Sequence, residues 1–325
     1  MSLLYAGIDE AGFGPMLGPL VVGMALFEVR DWNPGQPAPD LWDRLGVSRS
    51  LRGAGDRIPI ADSKKLKLPN TTKKHHPCVH LERAVLASLV AGGLAGGGGG
   101  IGDDTELLAA LGADLPRHPW YRGDPIPLPL EGNPEKGRID ANILARAFDR
   151  SGVRLASLRV RIIPAPEFNE IIRATGSKSE TTAGPVAGFL REAADLSGGD
   201  GPVRVVCDRQ SGRLDYENII ARAFPGEPVA LDVRTHRASR YLVRDGRVAL
   251  HFETEAEDRH LPVALASMAA KLVRELMMAR FNRFFAARCP GVRPTAGYVL
   301  DARRWLDDTR DTLDDDQRRK IIRIA

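Results

Sequence analysis

The chain has 325 residues, of which 43% are hydrophobic and 27% charged, and this is the composition of an ordinary globular protein. No stretch approaches 18 apolar residues, and the N-terminus lacks the segments of a secretion signal, so a membrane-spanning or secreted protein is not expected. The net charge of +4 permits a polyanionic partner, and three widely spaced cysteines favour a reducing cytoplasm without disulfides.

Two apolar runs near the N-terminus predict a pair of neighbouring strands. Residues 3–8 and 19–27 are nearly continuous hydrophobic stretches, which are typical of buried strands. Glycine and proline lie between the runs and predict a turn, so we expect the strands to pair antiparallel. Residues 28–60 contain Pro, Gly and Arg without a clear period and predict an irregular excursion.

The central part of the chain contains a glycine-rich interruption. Residues 81–91 predict a helix, and residues 92–102, with five consecutive glycines, predict a flexible loop because glycine strongly disfavours regular structure. Pro and Gly remain frequent through 103–137. The other helices are predicted over 140–148, 167–174, 185–196, 261–288 and 313–325.

Four further segments, from residue 153 onward, predict strands. Residues 153–163 alternate in polarity, and residues 203–207 form a β-branched run that ends at Asp208. Residues 240–243 and 248–252 flank an Asp-Gly pair, which is a strong hairpin signal.

Strands mixed with helices predict an α/β fold class. We predict a single domain over residues 1–325, and we interpret 28–60 and 92–137 as insertions within it. We expect a monomer.

Acidic residues follow two of the predicted strands. Asp9 and Glu10 end the first strand, and Asp208 ends the strand at 203–207. Ligands of α/β sheets tend to bind at the carboxyl ends of strands, so the three carboxylates converge if their strands are neighbours. Clustered carboxylates raise one another's pKa unless a cation joins them, and oxygen ligands suit Mg²⁺ or Mn²⁺. The pattern indicates a two-ion site for displacement at phosphate.

Two alternatives apply to the same residues. A single Asp at a strand end is more often a turn or cap residue than a catalytic one. The glycine-rich turn after Glu10 also suggests dinucleotide binding, but its G-x-G-x-x-x-G spacing is one residue too long, and Pro15 removes a backbone donor. The carboxylates of Asp9 and Glu10 would repel a pyrophosphate, which disfavours the second alternative.

Four motifs, in order, resemble those of the type 2 ribonuclease H family (ribonuclease HII and its archaeal and eukaryotic relatives). Residues 7–15 are Gly-Ile-Asp-Glu-Ala-Gly-Phe-Gly-Pro, similar to the family's G-[IV]-D-E-A-G-R-G-P. Residues 62–66, Asp-Ser-Lys-Lys-Leu, resemble D-S-K-x-L. Residues 257–275 resemble A-D-x-x-x-P-V-A-x-A-S-x-x-A-K-x-x-R-D, and residues 297–301, Gly-Tyr-Val-Leu-Asp, resemble G-Y-P-S-D. The resemblance extends over roughly two-thirds of the chain.

The resemblance implies a ribonuclease H-like fold, with a mixed β-sheet flanked by helices and a helical C-terminal part. It also implies cleavage of the RNA strand of RNA–DNA hybrids, or of DNA with embedded ribonucleotides, by water activated with two Mg²⁺ or Mn²⁺ ions. The products would carry 3′-hydroxyl and 5′-phosphate ends. The implied catalytic metal ligands are Asp9, Glu10, Asp208 and Glu275. The implied substrate contacts are Gly12, Phe13, Gly14, Ser63, Lys64, Lys65, Lys271 and Tyr298.

Two positions depart from the family pattern. Glu275 stands where the family has Asp, which moves the carboxylate one methylene outward and changes the metal spacing. An ion pair with Lys271, four residues earlier on the helix, is the alternative role for Glu275. Phe13 stands where the family has Arg, so a guanidinium that would bind a phosphate is absent. Phe13 either stacks on a base or sugar or packs inward.

Three functions remain open from the sequence: an active type 2 ribonuclease H, a nuclease of the same fold with a shifted nucleic-acid preference, and a non-catalytic nucleic-acid binding module. Clustered acids disfavour the last, because unpaired buried carboxylates cost stability without a metal. Residues 75–80, His-His-Pro-Cys-Val-His, contain zinc-ligand types but have no second half at suitable spacing, so a basic solvent-facing loop is favoured.

Overall fold

The computed structural model describes residues 1–33, 36–95, 100–131, 133–198, 201–209 and 213–324. The strands are β1 Leu3–Ala11, β2 Leu20–Val29, β3 Val153–Ile163, β4 Val203–Asp208, β5 Val229–Arg234, β6 Ala238–Val243 and β7 Val248–Glu253. The helices are α1 Leu41–Leu45, α2 Ser63–Leu66, α3 Val79–Ala91, α4 Asp104–Ala110, α5 Pro134–Ser151, α6 Ala165–Thr175, α7 Glu180–Asp195, α8 Glu217–Ala223, α9 Leu261–Ala286, α10 Val299–Asp308 and α11 Asp315–Ile321. Short 3₁₀ turns lie at Pro119–Tyr121 and Ala256–Asp258.

The seven strands form one mixed sheet in the order β3-β2-β1-β4-β7-β6-β5. β1 and β2 pair antiparallel, as the two apolar runs predict, and β6 and β7 form the hairpin predicted from the Asp-Gly pair. β1 pairs parallel with β4, and β4 pairs parallel with β7, so these three strands end at the same edge of the sheet. The predicted fold class, a mixed sheet flanked by helices with a helical C-terminal part, is confirmed.

Helix α9 crosses one face of the sheet and is buried along nearly its whole length. Two glycines allow this close approach. A Cβ atom at Gly7 would lie 2.0 Å from the backbone nitrogen of Val263, and one at Gly23 would lie 2.4 Å from the carbonyl oxygen of Ala266. Any side chain at Gly7 or Gly23 would therefore push α9 away from the sheet.

The opposite face of the sheet is covered by α6, α7 and α8. Apolar side chains of these helices, among them Phe168, Leu190 and Ile220, pack with residues of the central strands in a core separate from the one under α9. The sheet is therefore buried on both faces, which explains why β1 and β2 are continuous apolar runs.

The two predicted insertions contain regular structure. Residues 28–60 include α1, and residues 92–137 include α4. Asp104 at the start of α4 forms an ion pair at 2.6 Å with Arg280 of α9, and both side chains are completely buried. This pair connects the second insertion to the central helix. Residues 96–99 of the predicted flexible loop lie outside the described residues.

Elements differ from the predictions where the apolar pattern is weak. The sequence does not indicate β5, because this edge strand is mostly exposed and lacks hydrophobic alternation. It does not indicate α10 either, a short polar helix near the C-terminus. α7 begins at Glu180, upstream of the predicted start, because Pro185 lies inside the helix instead of opening it. α5 begins at Pro134, directly after its cap residue Asn133.

Within the described ranges, no helix combines the length and the apolar content needed to cross a membrane. Cys78, Cys207 and Cys289 are buried and free, in line with the expected absence of disulfides. The single domain over 1–325 stays a prediction.

Candidate active site

Asp9 and Asp208 lie side by side at the carboxyl-terminal edge of the sheet. Ile8 of β1 is the register partner of Cys207 of β4, and each is followed directly by one of the two aspartates. Glu10 is the next residue of β1, and the charge of Asp208 acts on it. The parallel pairing of β1 and β4 thus places these three carboxylates near one end of the sheet, although not close enough to one another to hold a metal ion as they stand.

A fourth carboxylate, Glu257, joins them from the 3₁₀ turn after β7. The backbone N–H of Ala256 donates to Asp208 Oδ1 at 3.0 Å, which holds the turn against the end of β4. Glu257 Oε2 is buried and has no hydrogen-bond partner among the described residues. A buried carboxylate oxygen without a partner is costly unless a proton or a cation neutralises the group. We call Asp9, Glu10, Asp208 and Glu257 the acidic cluster.

Burial and mutual repulsion raise the pKa of every carboxyl group in the acidic cluster. For Asp9, burial and then the charge of Glu10 raise the pKa well above its usual range. Burial and the charge of Asp208 raise the pKa of Glu10 to about 7, and burial and the charge of Asp9 raise that of Asp208 to about 6. Burial, followed by Asp208, raises the pKa of Glu257 to about 7. These groups therefore keep their protons to a higher pH than isolated carboxyl groups do, and a bound cation would favour their ionised forms.

Lys64 of α2 contributes positive charge beside the acidic cluster. Partial burial opposes its ionised form, but the charges of Asp62 and Asp9 outweigh burial and raise the pKa of Lys64. Asp62 caps α2, because its side chain accepts a hydrogen bond from the backbone N–H of Lys64 at 2.9 Å. Lys64 is thus held at the start of a one-turn helix next to the carboxylates.

Ser63 and Lys65, the neighbours of Lys64, have other partners. The Ser267 hydroxyl of α9 donates to Ser63 Oγ at 3.0 Å, and both residues are buried. The Lys65 ammonium pairs with Asp258 at 2.6 Å on the surface. The hydrogen bond of Ser63 therefore joins α2 to α9, whereas Lys65 is paired with Asp258, the residue that follows Glu257.

The structure places Glu275, the fourth ligand predicted from the sequence, outside the acidic cluster. Its carboxylate lies 2.8 Å from Lys271 Nζ, 3.3 Å from the Arg274 guanidinium and 3.7 Å from Lys67 Nζ. Burial opposes ionisation, but these cations hold the pKa of Glu275 below its usual value. The alternative ion pair between Glu275 and Lys271 is what the structure shows, and Lys271 has its charge directed at this carboxylate.

The turn after β1 requires glycine at position 12. Gly12 has a φ of 91°, in the left-handed region, and a Cβ there would lie 2.6 Å from Arg274 Nε and 2.7 Å from the carbonyl oxygen of Pro19. From the far end of the chain, the Arg323 guanidinium donates to the carbonyl oxygens of Gly12 and of Phe13. Arg323 therefore holds the backbone of the turn by hydrogen bonds, and Arg274 packs against it at Gly12.

Phe13 is half-buried and packs against the core under α6, α7 and α8. Lys178 Nζ lies 5.1 Å from the centre of its ring. Of the two roles left open by the sequence, the structure therefore shows inward packing, with one cation above the ring. Gly14, the next residue, is exposed, and nothing lies within 4 Å of a Cβ built on it.

Tyr298 lies near the same turn and is 50% exposed. The N–H groups of Met16 and Leu17 donate to the Gly297 carbonyl oxygen at 2.8 and 3.1 Å, which joins the segment before Tyr298 to the segment after the glycine turn. The Arg274 guanidinium lies 5.4 Å from the centre of the Tyr298 ring. An aromatic face is therefore held beside the turn.

Glu257, Arg274 and Arg323 shape this region although sequence reasoning gives them no role. Glu257 opens the third motif, and the acid pair Glu257-Asp258 before a Pro-initiated helix is the signal that could have identified it. Arg274 precedes Glu275 in the same motif. Nothing in the sequence around Arg323 indicates that it reaches the turn at Gly12.

The donor set of the acidic cluster consists of carboxylate oxygens, which suit Mg²⁺ or Mn²⁺. In the part of the chain that the structure describes, no three His, Cys, Asp or Glu side chains converge closely enough to hold a metal ion. The unpartnered Glu257 Oε2 and the raised pKa values nevertheless mark carboxylates that lack a positive partner, so the chemistry of the residues fits a divalent cation. In the histidine-rich segment, His75 Nδ1 lies 3.2 Å from Glu131 Oε2.

No protein-family model matches the chain, and no curated protein matches it significantly. Its fold is similar to that of several solved ribonuclease structures. Ribonuclease HII from Archaeoglobus fulgidus, in a complex with PCNA, aligns over 99% of this chain and 94% of its own, with 16% identity and a TM-score of 0.45. Ribonuclease H2 from Pyrococcus horikoshii OT3 aligns over 95% and 86%, with 16% identity and a TM-score of 0.40. Bst ribonuclease HIII in complex with Mn²⁺ aligns over 99% and 66%, with 14% identity and a TM-score of 0.44.

Proposed function

We propose that this chain is a metal-dependent endonuclease of the type 2 ribonuclease H kind, which cleaves the RNA strand of RNA–DNA hybrids and leaves 3′-hydroxyl and 5′-phosphate ends. The observation that carries the proposal is the acidic cluster at the edge of the sheet. Four carboxylates that raise one another's pKa cost stability in the absence of a cation, so their presence is explained by a cation that they bind. The four sequence motifs support the assignment to hybrids of RNA and DNA. From the three widely spaced cysteines, we propose a cytoplasmic location.

Asp9, Glu10, Asp208 and Glu257 would hold Mg²⁺ or Mn²⁺, with Glu257 in place of Glu275. When bound, such ions polarise a phosphate and lower the pKa of a water molecule. Glu257 is the better fourth ligand because its free oxygen lies with Asp208, whereas the carboxylate of Glu275 is already neutralised by Lys271.

The residues around the acidic cluster would orient the substrate. Gly12 and Gly14 allow a nucleotide to approach the backbone of the turn, whose amides can recognise a ribose 2′-hydroxyl, the group that distinguishes RNA from DNA. Lys64 would contact a phosphate near the carboxylates. The half-exposed ring of Tyr298 offers a face against which a sugar or base can pack.

A second candidate is a nuclease of the same fold whose nucleic-acid preference has shifted. Phe13 favours this second candidate, because its side chain packs inward. The nearby Arg323 already donates hydrogen bonds to carbonyl oxygens behind the turn. Neither position 13 nor Arg323 therefore presents a guanidinium to a substrate at this turn.

Cleavage of labelled duplexes that carry one, four or many consecutive ribonucleotides tests the proposal. We expect cleavage within the ribonucleotide stretch in Mg²⁺ or Mn²⁺ and none in EDTA. Cleavage of an all-DNA duplex at the same rate would favour the shifted preference, and binding of every duplex without cleavage in either metal would show a non-catalytic module.

Glutamine substitutions separate the two candidates for the fourth ligand. Glu257→Gln is expected to reduce cleavage by roughly a hundredfold or more, because it removes a metal ligand, whereas Glu275→Gln should reduce it by less than about tenfold. Initial rates at saturating Mn²⁺ provide the measurement, with folding checked by circular dichroism. The reverse order of the two effects would restore Glu275 as the ligand.

The acidic cluster also predicts the sign of a pH effect on stability. In the folded chain the pKa of Asp208 is about 6 and that of Glu10 about 7, above the values near 4 of an unfolded chain. The stabilisation from these groups is therefore complete below about pH 4 and is lost as the pH rises through 6 and 7, because the folded state then loses the protons that it binds more tightly. In metal-free buffer, Asp208→Asn should gain stability relative to the wild type between pH 5 and pH 8.

Urea unfolding at several pH values measures this difference. Asp316→Asn is the matched control, because a hydrogen bond from Lys320 lowers the pKa of Asp316 on the surface, and this variant should show no such gain. If the difference in unfolding free energy between Asp208→Asn and the wild type stays constant from pH 5 to pH 8, Asp208 does not interact with its neighbours as described.

Phe13→Arg should alter the choice among ribonucleotide substrates. A charge-assisted hydrogen bond to a phosphate contributes about 1.5–3 kcal/mol, or roughly ten- to a hundredfold in rate. We expect the wild type to cut duplexes with several ribonucleotides faster than duplexes with one, and Phe13→Arg to narrow that gap. Phe13→Leu, which adds no charge, is the control. Equal rates on both substrates for the wild type would mean that another residue, such as Tyr298, supplies the contact.

A further inference from the structure

A cavity of about 660 Å³, lined by apolar groups and by charged side chains, lies next to the acidic cluster on the same face of the sheet. Tyr5 of β1 pairs with Arg204 of β4 in the sheet. Tyr5 lies two residues before Gly7, so both point to the face of the sheet that α9 covers. Glu253, which also lines the cavity, is the register partner of Asp208. The cavity and the acidic cluster therefore occupy adjacent positions across the central strands.

One carboxylate, that of Glu253, is surrounded by positive or hydrogen-donating groups in this cavity. Its oxygens lie 3.3 Å from His251 Nδ1, 3.3 Å from His260 Nε2 and 3.0 Å from the Arg259 guanidinium. Hydrogen bonds from His251 and His260 are the largest causes that hold the pKa of Glu253 far below its usual value. The other nitrogen of His260 lies 2.5 Å from the Tyr5 hydroxyl. The single negative charge of Glu253 is therefore shared among several donors, and it acts on Arg204 and Arg240 only weakly or at longer range.

Two arginines in the cavity are left without adequate partners. No carboxylate of the described residues lies within 4 Å of the Arg204 guanidinium, and the one nearest to Arg240 is Glu253 at 3.7 Å. The Nε atoms of Arg204 and Arg240 are both buried and make no hydrogen bond within the described part of the chain. The remaining acid of the lining, Asp40, is paired with Arg49 outside it. The cavity therefore has an excess of positive charge and unsatisfied donors.

We propose that this cavity binds a phosphate group, with Arg204 and Arg240 as its principal contacts. Guanidinium groups donate paired hydrogen bonds to phosphate oxygens, and such an anion would satisfy both buried Nε atoms. The volume lies within the range of sites for small ligands, so it can accommodate a mononucleotide. The phosphate belongs either to a free mononucleotide or to the backbone of a nucleic acid, and the site does not depend on the proposed cleavage reaction.

Binding measurements in EDTA test the proposal without catalysis. Titration calorimetry with AMP, at constant ionic strength, measures the free mononucleotide, and fluorescence anisotropy with an RNA–DNA duplex measures the backbone. We expect Arg204→Gln and Arg240→Gln each to weaken binding by about tenfold or more. Arg161→Gln, which removes a 56%-exposed arginine from β3 of the same sheet, should change binding by less than about twofold.

The two arms identify the source of the phosphate. Loss of AMP binding in the cavity variants supports a mononucleotide site, and loss of duplex affinity without any AMP binding supports a backbone contact. Unchanged affinity for both probes in Arg204→Gln and Arg240→Gln, or equal weakening by Arg161→Gln, would overturn the proposal. Thermal unfolding checks that each variant is folded, and Arg240→Gln, at a 42%-exposed side chain, keeps the test valid if Arg204→Gln does not fold.

Discussion

Asp9→Asn and Asp208→Asn are each expected to reduce the cleavage of RNA–DNA hybrids by roughly a thousandfold or more. Both carboxylates lie at the ends of paired parallel strands and would share the metal ions with Glu10 and Glu257. A metal ion supplies several kcal/mol of transition-state stabilisation, and each 1.36 kcal/mol corresponds to about a factor of ten in rate. An amide keeps the shape of the side chain but removes the charge that binds the ion.

Loss of folding is not expected to cause this effect. Each substitution removes one of several mutually repelling charges, so metal-free variants should unfold at the same temperature as the wild type or at a higher one. Mg²⁺ or Mn²⁺ should raise the unfolding temperature of the wild type, because an ion that binds only the native state stabilises it, and should do so less for the variants. Full cleavage activity in either variant would rule out the acidic cluster as the catalytic site.

The largest effect on stability is expected at Asp104, far from the acidic cluster. Asp104 and Arg280 form a fully buried ion pair in which the guanidinium donates to both carboxylate oxygens, at 2.6 and 2.7 Å. Asp104→Ala would leave a buried guanidinium without its countercharge, which typically costs about 3–5 kcal/mol of unfolding free energy. Urea unfolding followed by circular dichroism measures this loss.

Two controls show whether the loss comes from the unpaired charge. Asp316→Ala breaks an exposed ion pair with Lys320 and should cost less than about 1 kcal/mol. The double variant Asp104→Leu/Arg280→Met removes both charges and should recover much of the stability lost in Asp104→Ala. A loss below 1 kcal/mol in Asp104→Ala would mean that the second insertion does not depend on this pair.

The core of the sheet and three of the four carboxylates of the acidic cluster follow from local sequence. β1, β2 and β4 are apolar runs because both faces of the sheet are covered, and such runs are the strongest signal that a sequence contains for buried strands. Asp9, Glu10 and Asp208 stand out as a set, because two separate apolar runs both end on carboxylates. Their convergence needs only one further fact, the parallel pairing of β1 with β4.

The remaining features depend on contacts between distant parts of the chain. Glu257 and Glu275 lie in one motif, but a turn in which Glu255 has a φ of 53° holds the backbone before Glu257 against Asp208. The helix carries Glu275 toward Lys271 and Lys67 instead. Arg323 reaches the turn at Gly12 from the other end of the chain, and no local pattern indicates such a contact.

The central claim is most directly tested by incubating the wild type with a 5′-labelled RNA strand annealed to DNA, in Mn²⁺, in Mg²⁺ and in EDTA, alongside Asp9→Asn purified in parallel. We expect the wild type to produce labelled fragments with 3′-hydroxyl ends, which poly(A) polymerase can extend, in the presence of either ion. EDTA and Asp9→Asn should each abolish them. Cleavage in EDTA, fragments that resist extension because they carry 3′-phosphates, or equal cleavage by Asp9→Asn would contradict a metal-dependent ribonuclease H built on the acidic cluster.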